Sequence, residues 1–87
     1  MKTWKNEIVN AIVEKTTTDK IVSLKETANA LGVAHINRHD TDDIINAVLK
    51  RVPEYKAVEM HDTATDTASR FCTLCFIDKE LTFDNEI

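Results

Sequence analysis

Two pairs of side chains in this sequence have the spacing of zinc ligands. His35 and His39 are separated by three residues, and Cys72 and Cys75 are separated by two. The cysteines, however, lie in an apolar run that predicts a β-strand, and strand residues three apart point to opposite faces. That run also contains no glycine for the usual turn between two cysteine ligands. We therefore expect cysteines that pack as small apolar side chains, histidines on a surface loop, and no metal or other cofactor.

The sequence contains no motif that is typical of a catalytic site. A glycine-rich phosphate loop and a nucleophile elbow are both missing, and the whole chain has one glycine. Asp42 and Asp43 are adjacent on a predicted helix and exposed, and they lack the burial that shifts a carboxylate pKa. We predict that the protein is not an enzyme.

Most of the net negative charge lies at the C-terminal end. The net charge of the 87 residues is −4. From residue 78 onward, four acidic residues and one lysine give −3, which leaves −1 for residues 1–77. We predict one folded domain over residues 1–78 and an acidic, partly disordered tail without clear periodicity over residues 79–87. A DNA-binding protein usually has a basic excess on one face, so any basic patch here must be local.

The distribution of apolar residues predicts a cytoplasmic protein. The longest apolar runs contain only a few residues, which is too short to span a bilayer. The first residues are polar and charged, unlike the apolar stretch of a signal peptide. Without export, the two cysteines are expected to stay reduced.

Three amphipathic segments predict helices. The first covers residues 4–15, with Thr3 as a plausible N-cap. The second begins after Ser23, whose spacing to Glu26 is that of a capping box, and ends at Gly32.

The third helix has the clearest boundaries. Asp40 is the expected N-cap, and an apolar stripe runs from Ile44 to Val52. Acidic residues occupy the first turn and basic residues the last, as the helix dipole favours. Pro53 ends the helix.

Residues rich in strand formers predict a small sheet. Residues 55–60 and 69–77 read as two strands of a hairpin around a polar, mobile loop over residues 61–68. Ile21 and Val22 form a short β-branched segment that could add a third strand.

Both faces of the last predicted strand are apolar. One face would hold Phe71, Cys75 and Ile77, and the other would hold Cys72, Leu74 and Phe76. We expect one face to cover the core and the other to meet a partner, such as a second copy of the chain in a homodimer.

The order helix, strand, helix, helix, strand, strand resembles the winged helix-turn-helix superfamily. The likeness covers nearly the whole chain except the tail. It is carried by Trp4, Ile8 and Ile12, by residues 24–32 with Ala28 and Gly32, by residues 44–52, and by the hairpin over residues 55–77. A more particular similarity is to HARE-type winged helices, such as the one in the delta subunit of bacterial RNA polymerase. It is carried by Trp4-Lys5, by the segment SLKETANAL and by the aromatic residues of the second wing strand. The resemblance implies an α+β fold of three helices with an antiparallel wing of two or three strands.

The resemblance also implies a DNA interface, because winged helices usually place the third helix in the major groove and the wing along the backbone. By position, the contacting residues would be Arg38, Asn46, Lys50, Arg51, Arg70, Lys20 and Lys25. Asn46 would contact adenine, and the basic residues would contact phosphate or guanine. Asp40, Asp42 and Asp43 oppose this interpretation, since carboxylates at the start of the third helix would repel DNA.

Two functions therefore stay open. One is a small DNA-binding or transcription-associated regulator that contacts duplex DNA through the third helix and the wing. The alternative is an acidic protein-interaction module without direct DNA binding, including a phage-encoded modulator of a polymerase or another nucleic-acid enzyme. Its acidic surface would speed the encounter with a basic partner. Salt-sensitive binding to DNA would distinguish the two.

Overall fold

The computed structural model describes residues 3–60 and 70–81. These residues form an α+β fold of four helices and one three-stranded antiparallel sheet. In chain order the elements are α1 (Thr3–Lys15), β1 (Ile21–Ser23), α2 (Leu24–Ala30), α3 (Arg38–Arg51), β2 (Tyr55–Glu59), α4 (Arg70–Thr73) and β3 (Leu74–Asp78). The loop predicted over residues 61–68 and residues 82–87 of the predicted tail lie outside the described residues.

Local sequence signals explain how α2 begins and ends. The Glu26 amide donates a hydrogen bond to the Ser23 hydroxyl over 3.2 Å, so the predicted N-cap is confirmed. At the other end Gly32 has a φ of +84°, the left-handed conformation that was predicted for it. The amide of Val33 then donates to the Ala28 carbonyl over 2.9 Å. A seven-residue helix is thus fixed at both ends.

The sheet places β3 between β1 and β2, and both neighbours run antiparallel to it. Phe76 is the centre of this register, with Val22 opposite it on one side and Ala57 on the other. The short strand predicted at Ile21 and Val22 is therefore confirmed. It forms an edge of the sheet, whose opposite edge is β2.

The strand predicted over residues 69–77 is wrong in its first half, because Arg70–Thr73 form a helical turn. The reason is tertiary packing. A strand would send Phe71 and Leu74 to opposite faces, whereas a helical turn places residues three apart on the same face. Both side chains are buried in the core, and α4 packs against α2 and α3. The fold consequently has four helices in its described part, not three.

The helices cover one face of the sheet. Val22, Leu74 and Phe76 point into the core that α1, α2 and α3 complete. The prediction that one face of the last strand covers the core is confirmed for Leu74 and Phe76. The face assigned to Phe71 was wrong, because Phe71 reaches the core from α4. Among the described residues, none of the helices has the length and apolar character required to cross a membrane.

Candidate nucleic-acid interface

The start of α3 is set by Asn37. Its side-chain oxygen accepts a hydrogen bond from the Asp40 amide over 2.8 Å, and its carbonyl accepts from the Thr41 amide. The N-cap predicted at Asp40 is therefore wrong by three residues, and Asp40 lies within the first turn. Both residues are good N-caps, but the earlier start lets the buried Ile36 anchor the chain directly before the helix.

One side of α3 is buried and the opposite side faces solvent. Thr41, Ile44, Ile45 and Val48 pack into the core, and the helix ends at Arg51, one residue before the predicted end at Val52. Four of the predicted contact residues are exposed on this helix, and three of them, Arg38, Asn46 and Lys50, form no side-chain hydrogen bond or ion pair within the described part of the chain. We call these three residues the exposed α3 surface. Within the described part of the chain, no other side chain forms an ion pair with Arg38 or Lys50.

Two of the carboxylates at the start of α3 are bound by Lys5 of α1. The Lys5 ammonium lies 2.5 Å from an Asp40 oxygen and 2.8 Å from an Asp43 oxygen. The hydrogen bonds to Asp40 and Asp43 raise the pKa of Lys5, and the bond from Lys5 lowers the pKa of Asp43. The Trp4 ring also lies 5.9 Å from the ammonium. These carboxylates therefore connect α3 to α1, and Asp40 is mostly withdrawn from the surface, with 13% of its side chain exposed.

The third carboxylate, Asp42, is paired with Arg70. The Arg70 guanidinium bonds an Asp42 oxygen through Nη1, and its Nε lies 3.3 Å from an oxygen of Glu59. Arg70 is the first residue of α4, so this cluster joins α4 to both α3 and β2. A guanidinium held by two carboxylates presents little net positive charge to a phosphate. The structure thus places Arg70 near α3 but gives it internal partners.

Two further residues of the predicted set also have partners within the chain. Arg51 donates to the Asn10 side-chain oxygen over 2.5 Å, which turns its guanidinium toward α1. The Lys20 ammonium lies 3.4 Å from an oxygen of Asp78, at the opposite end of the sheet from Glu59. Lys25 is exposed on α2. The seven predicted residues therefore do not form one continuous patch.

The four residues with zinc-like spacing do not form a ligand set. The His35 ring contacts the Phe71 ring edge-on, with centroids 5.5 Å apart. Cys72 is exposed on α4 and Cys75 is half-buried on β3, so the premise that both lie in one strand was wrong. His39 lies on α3, 3.8 Å from Asp43, and not on a loop. Within residues 3–60 and 70–81, no three side chains of the kinds that bind metals converge on one point.

Sequence reasoning missed Lys5 and Asn37. Lys5 lies on the same helical stripe as Ile8, Val9 and Ile12, at spacings of three, four and seven residues. A lysine in a buried stripe signals an anionic partner, because a buried charge must be compensated. Asn37 is followed three residues later by an acid, which is the pattern of a capped helix start.

Comparison of the chain with protein-family models, with curated proteins and with solved structures finds no match.

Proposed function

We propose that the chain is a small, non-enzymatic, cytoplasmic winged-helix protein that contacts duplex DNA through α3. The order of the elements and the sheet order β1-β3-β2 are compatible with a winged helix. In such a fold α3 would enter the major groove, and β2 and β3 would belong to the wing. Asn46 would contact a base edge, while Arg38 and Lys50 would contact phosphates.

The observation that supports this proposal is the different pairing of the anions and the cations of α3. The carboxylates of its first two turns are bound by Lys5 and Arg70, whereas the exposed α3 surface combines an amide with two cations. A side-chain amide between two basic residues suits a helix whose amide contacts a base edge and whose cations contact the phosphate backbone of the DNA. Arg51 and Arg70 would then support the shape of the interface more than they contact DNA.

The test is a fluorescence-anisotropy titration of random duplex DNA at low and moderate salt. Replacing Arg38 and Lys50 together by alanine should weaken binding and reduce the salt slope by about 0.9 for each phosphate that the protein no longer neutralises. The matched control replaces Lys15 and Lys79, two exposed lysines outside α3, and changes the net charge equally. Equal losses of affinity in both double variants would indicate a general charge effect and would contradict contact through α3.

A protein-interaction module is the second candidate, favoured by the internal pairing of cations. Lys20 and Arg70 are both bound to carboxylates, in a chain that has a net charge of −4. This function predicts no salt-dependent anisotropy change with duplex DNA. It also predicts a basic protein partner whose binding is weakened by Asp42→Asn, measured by calorimetry with the purified partner.

A further inference from the structure

A carboxylate lies in the middle of the surface that the proposed function uses. One row of side chains along α3, spaced four residues apart, consists of Arg38, Asp42, Asn46 and Lys50. Residues at this spacing lie on the same face of a helix. From Arg38 to Lys50 the row is about 18 Å long. The Asp42 side chain is 46% exposed, so its carboxylate shares a solvent-facing row with the exposed α3 surface.

This carboxylate has two potential partners on its own row. Four residues before it is Arg38, a cation, and four residues after it is Asn46, whose side-chain amide is a donor. Within the described part of the chain, Asp42 bonds neither of them. Its oxygen is instead bonded by Nη1 of Arg70, which approaches from α4. Because Nε of the same guanidinium lies 3.3 Å from a Glu59 oxygen, Arg70 is held from two sides.

We propose that Arg70 is a positioning residue of the DNA interface, which acts by holding the Asp42 carboxylate away from Arg38 and Asn46. This inference rests on the proposed contact between α3 and duplex DNA. Without Arg70, the carboxylate would pair with Arg38 or accept a hydrogen bond from Asn46, and both residues would be less available to DNA. Its uncompensated charge would also repel the phosphates.

A double-mutant cycle between the two residues of this ion pair tests the proposal. Fluorescence anisotropy measures the affinity for random duplex DNA at low salt. Arg70→Gln should weaken binding about fivefold, the factor that corresponds to two unit charges about 4 Å apart in water. In an Asp42→Asn background the same substitution should change the affinity less than about twofold, since the carboxylate through which Arg70 acts is gone. Arg70→Lys retains a cation and should bind more tightly than Arg70→Gln.

NMR spectra of the DNA-free protein follow the same ion pair without DNA. Arg70→Gln should shift the side-chain amide signals of Asn46 and the Nε–H signal of Arg38, because the released carboxylate can bind either group. In the Asp42→Asn background, Arg70→Gln should leave these signals in place. A loss of affinity caused only by general disruption of the fold would not show this dependence on Asp42.

Two controls accompany the cycle. Lys79→Gln removes an exposed cation just beyond Asp78, which pairs with the end of β2 opposite Glu59, and it should weaken binding less than Arg70→Gln. In a Glu59→Gln background, Arg70→Gln should still weaken binding, because Asp42 keeps its charge. Thermal unfolding of each variant confirms that it is folded.

The outcomes separate this inference from the proposed function. A loss of affinity that persists with Glu59→Gln and disappears with Asp42→Asn supports the role of Arg70. An equal loss in all backgrounds would indicate that Arg70 contacts phosphate directly, and it would overturn the inference while DNA binding stands. An unchanged affinity of Arg70→Gln, or unchanged NMR signals, would also overturn it. A wild type that does not bind duplex DNA would refute the proposed function, and the role of Arg70 toward DNA with it.

Discussion

Replacing the side chain that caps α3 should cost measurable stability. Asn37→Ala removes the acceptor of the 2.8 Å hydrogen bond from the Asp40 amide. Asn37 is exposed, so the substitution leaves no cavity, and the loss is that of the cap alone. Such a change typically costs about 1 kcal/mol. For a domain of 60–100 residues, 1 kcal/mol lowers the Tm by about 4–8 °C. Asn37→Ser keeps an acceptor and should stay close to the wild type in the same calorimetric scan.

The matched control is Asn46→Ala, an exposed asparagine in the interior of the same helix. Alanine is the better helix former by up to about 0.7 kcal/mol, so the Tm should hold or rise. The two variants also separate stability from function. If α3 contacts DNA as proposed, Asn46→Ala weakens binding without lowering the Tm. An Asn37→Ala protein that melts with the wild type would refute the assignment of the cap, and so would an equal loss of Tm in both variants.

Two further predictions concern the hydroxyl of Tyr55 at one end of the sheet and the stability of the fold at acidic pH. Tyr55→Phe should destabilise the fold by about 1 kcal/mol in urea unfolding, because the buried hydroxyl lies 2.6 Å and 3.0 Å from two carbonyl oxygens of the turn after α1. A free energy of unfolding that the substitution leaves unchanged would show that the two hydrogen bonds of the hydroxyl do not stabilise the fold. The hydrogen bond from Lys5 lowers the pKa of Asp43 in the folded state. The ionised Asp43 therefore stabilises the fold above pH 3.8, the ordinary pKa of the carboxyl group, and this stabilisation is lost as the pH falls through the lowered pKa of the folded state. The Tm difference between wild type and Asp43→Asn should accordingly be constant near neutral pH and shrink below pH 4, and a difference that grows on acidification would contradict the ion pair.

Elements with strong local signals were predictable from the sequence. The Ser23 cap and Gly32 delimit α2, and Pro53 follows the end of α3, because each acts on the backbone of its own neighbours. Two β-branched residues indicated that β1 could be a strand but were too few to establish it. Its pairing with β3, more than fifty residues away, confirmed what composition alone had left open.

The features that could not be predicted depend on contacts between distant segments. Whether residues 70–73 continue a strand or form α4 depends on the space available to Phe71 in the core. The N-cap of α3 was ambiguous because Asn37 and Asp40 are both followed by an acid three residues later. Lys5 and Asp43 are separated by 38 residues. The spacing of residues within one helix does not show which side chain of another helix will form an ion pair with it.

The charges at the start of α3 show why position matters more than formal charge for the proposed interface. Counted from the sequence, Asp40, Asp42 and Asp43 place three negative charges where DNA would approach. In the fold Lys5 is shared by Asp40 and Asp43, and Arg70 is shared by Asp42 and Glu59, so each cluster keeps a net charge of −1 and has a weaker field than its two carboxylates alone. Salt reduces it further, with a screening length of about 8 Å at physiological ionic strength. The repulsion of DNA is thus weaker than three unpaired aspartates would give. The same ion pairs, however, occupy Lys5 and Arg70, which are then less able to bind phosphate. Under the proposed function, the exposed α3 surface would supply the main attraction to DNA, so its double alanine variant is the decisive one.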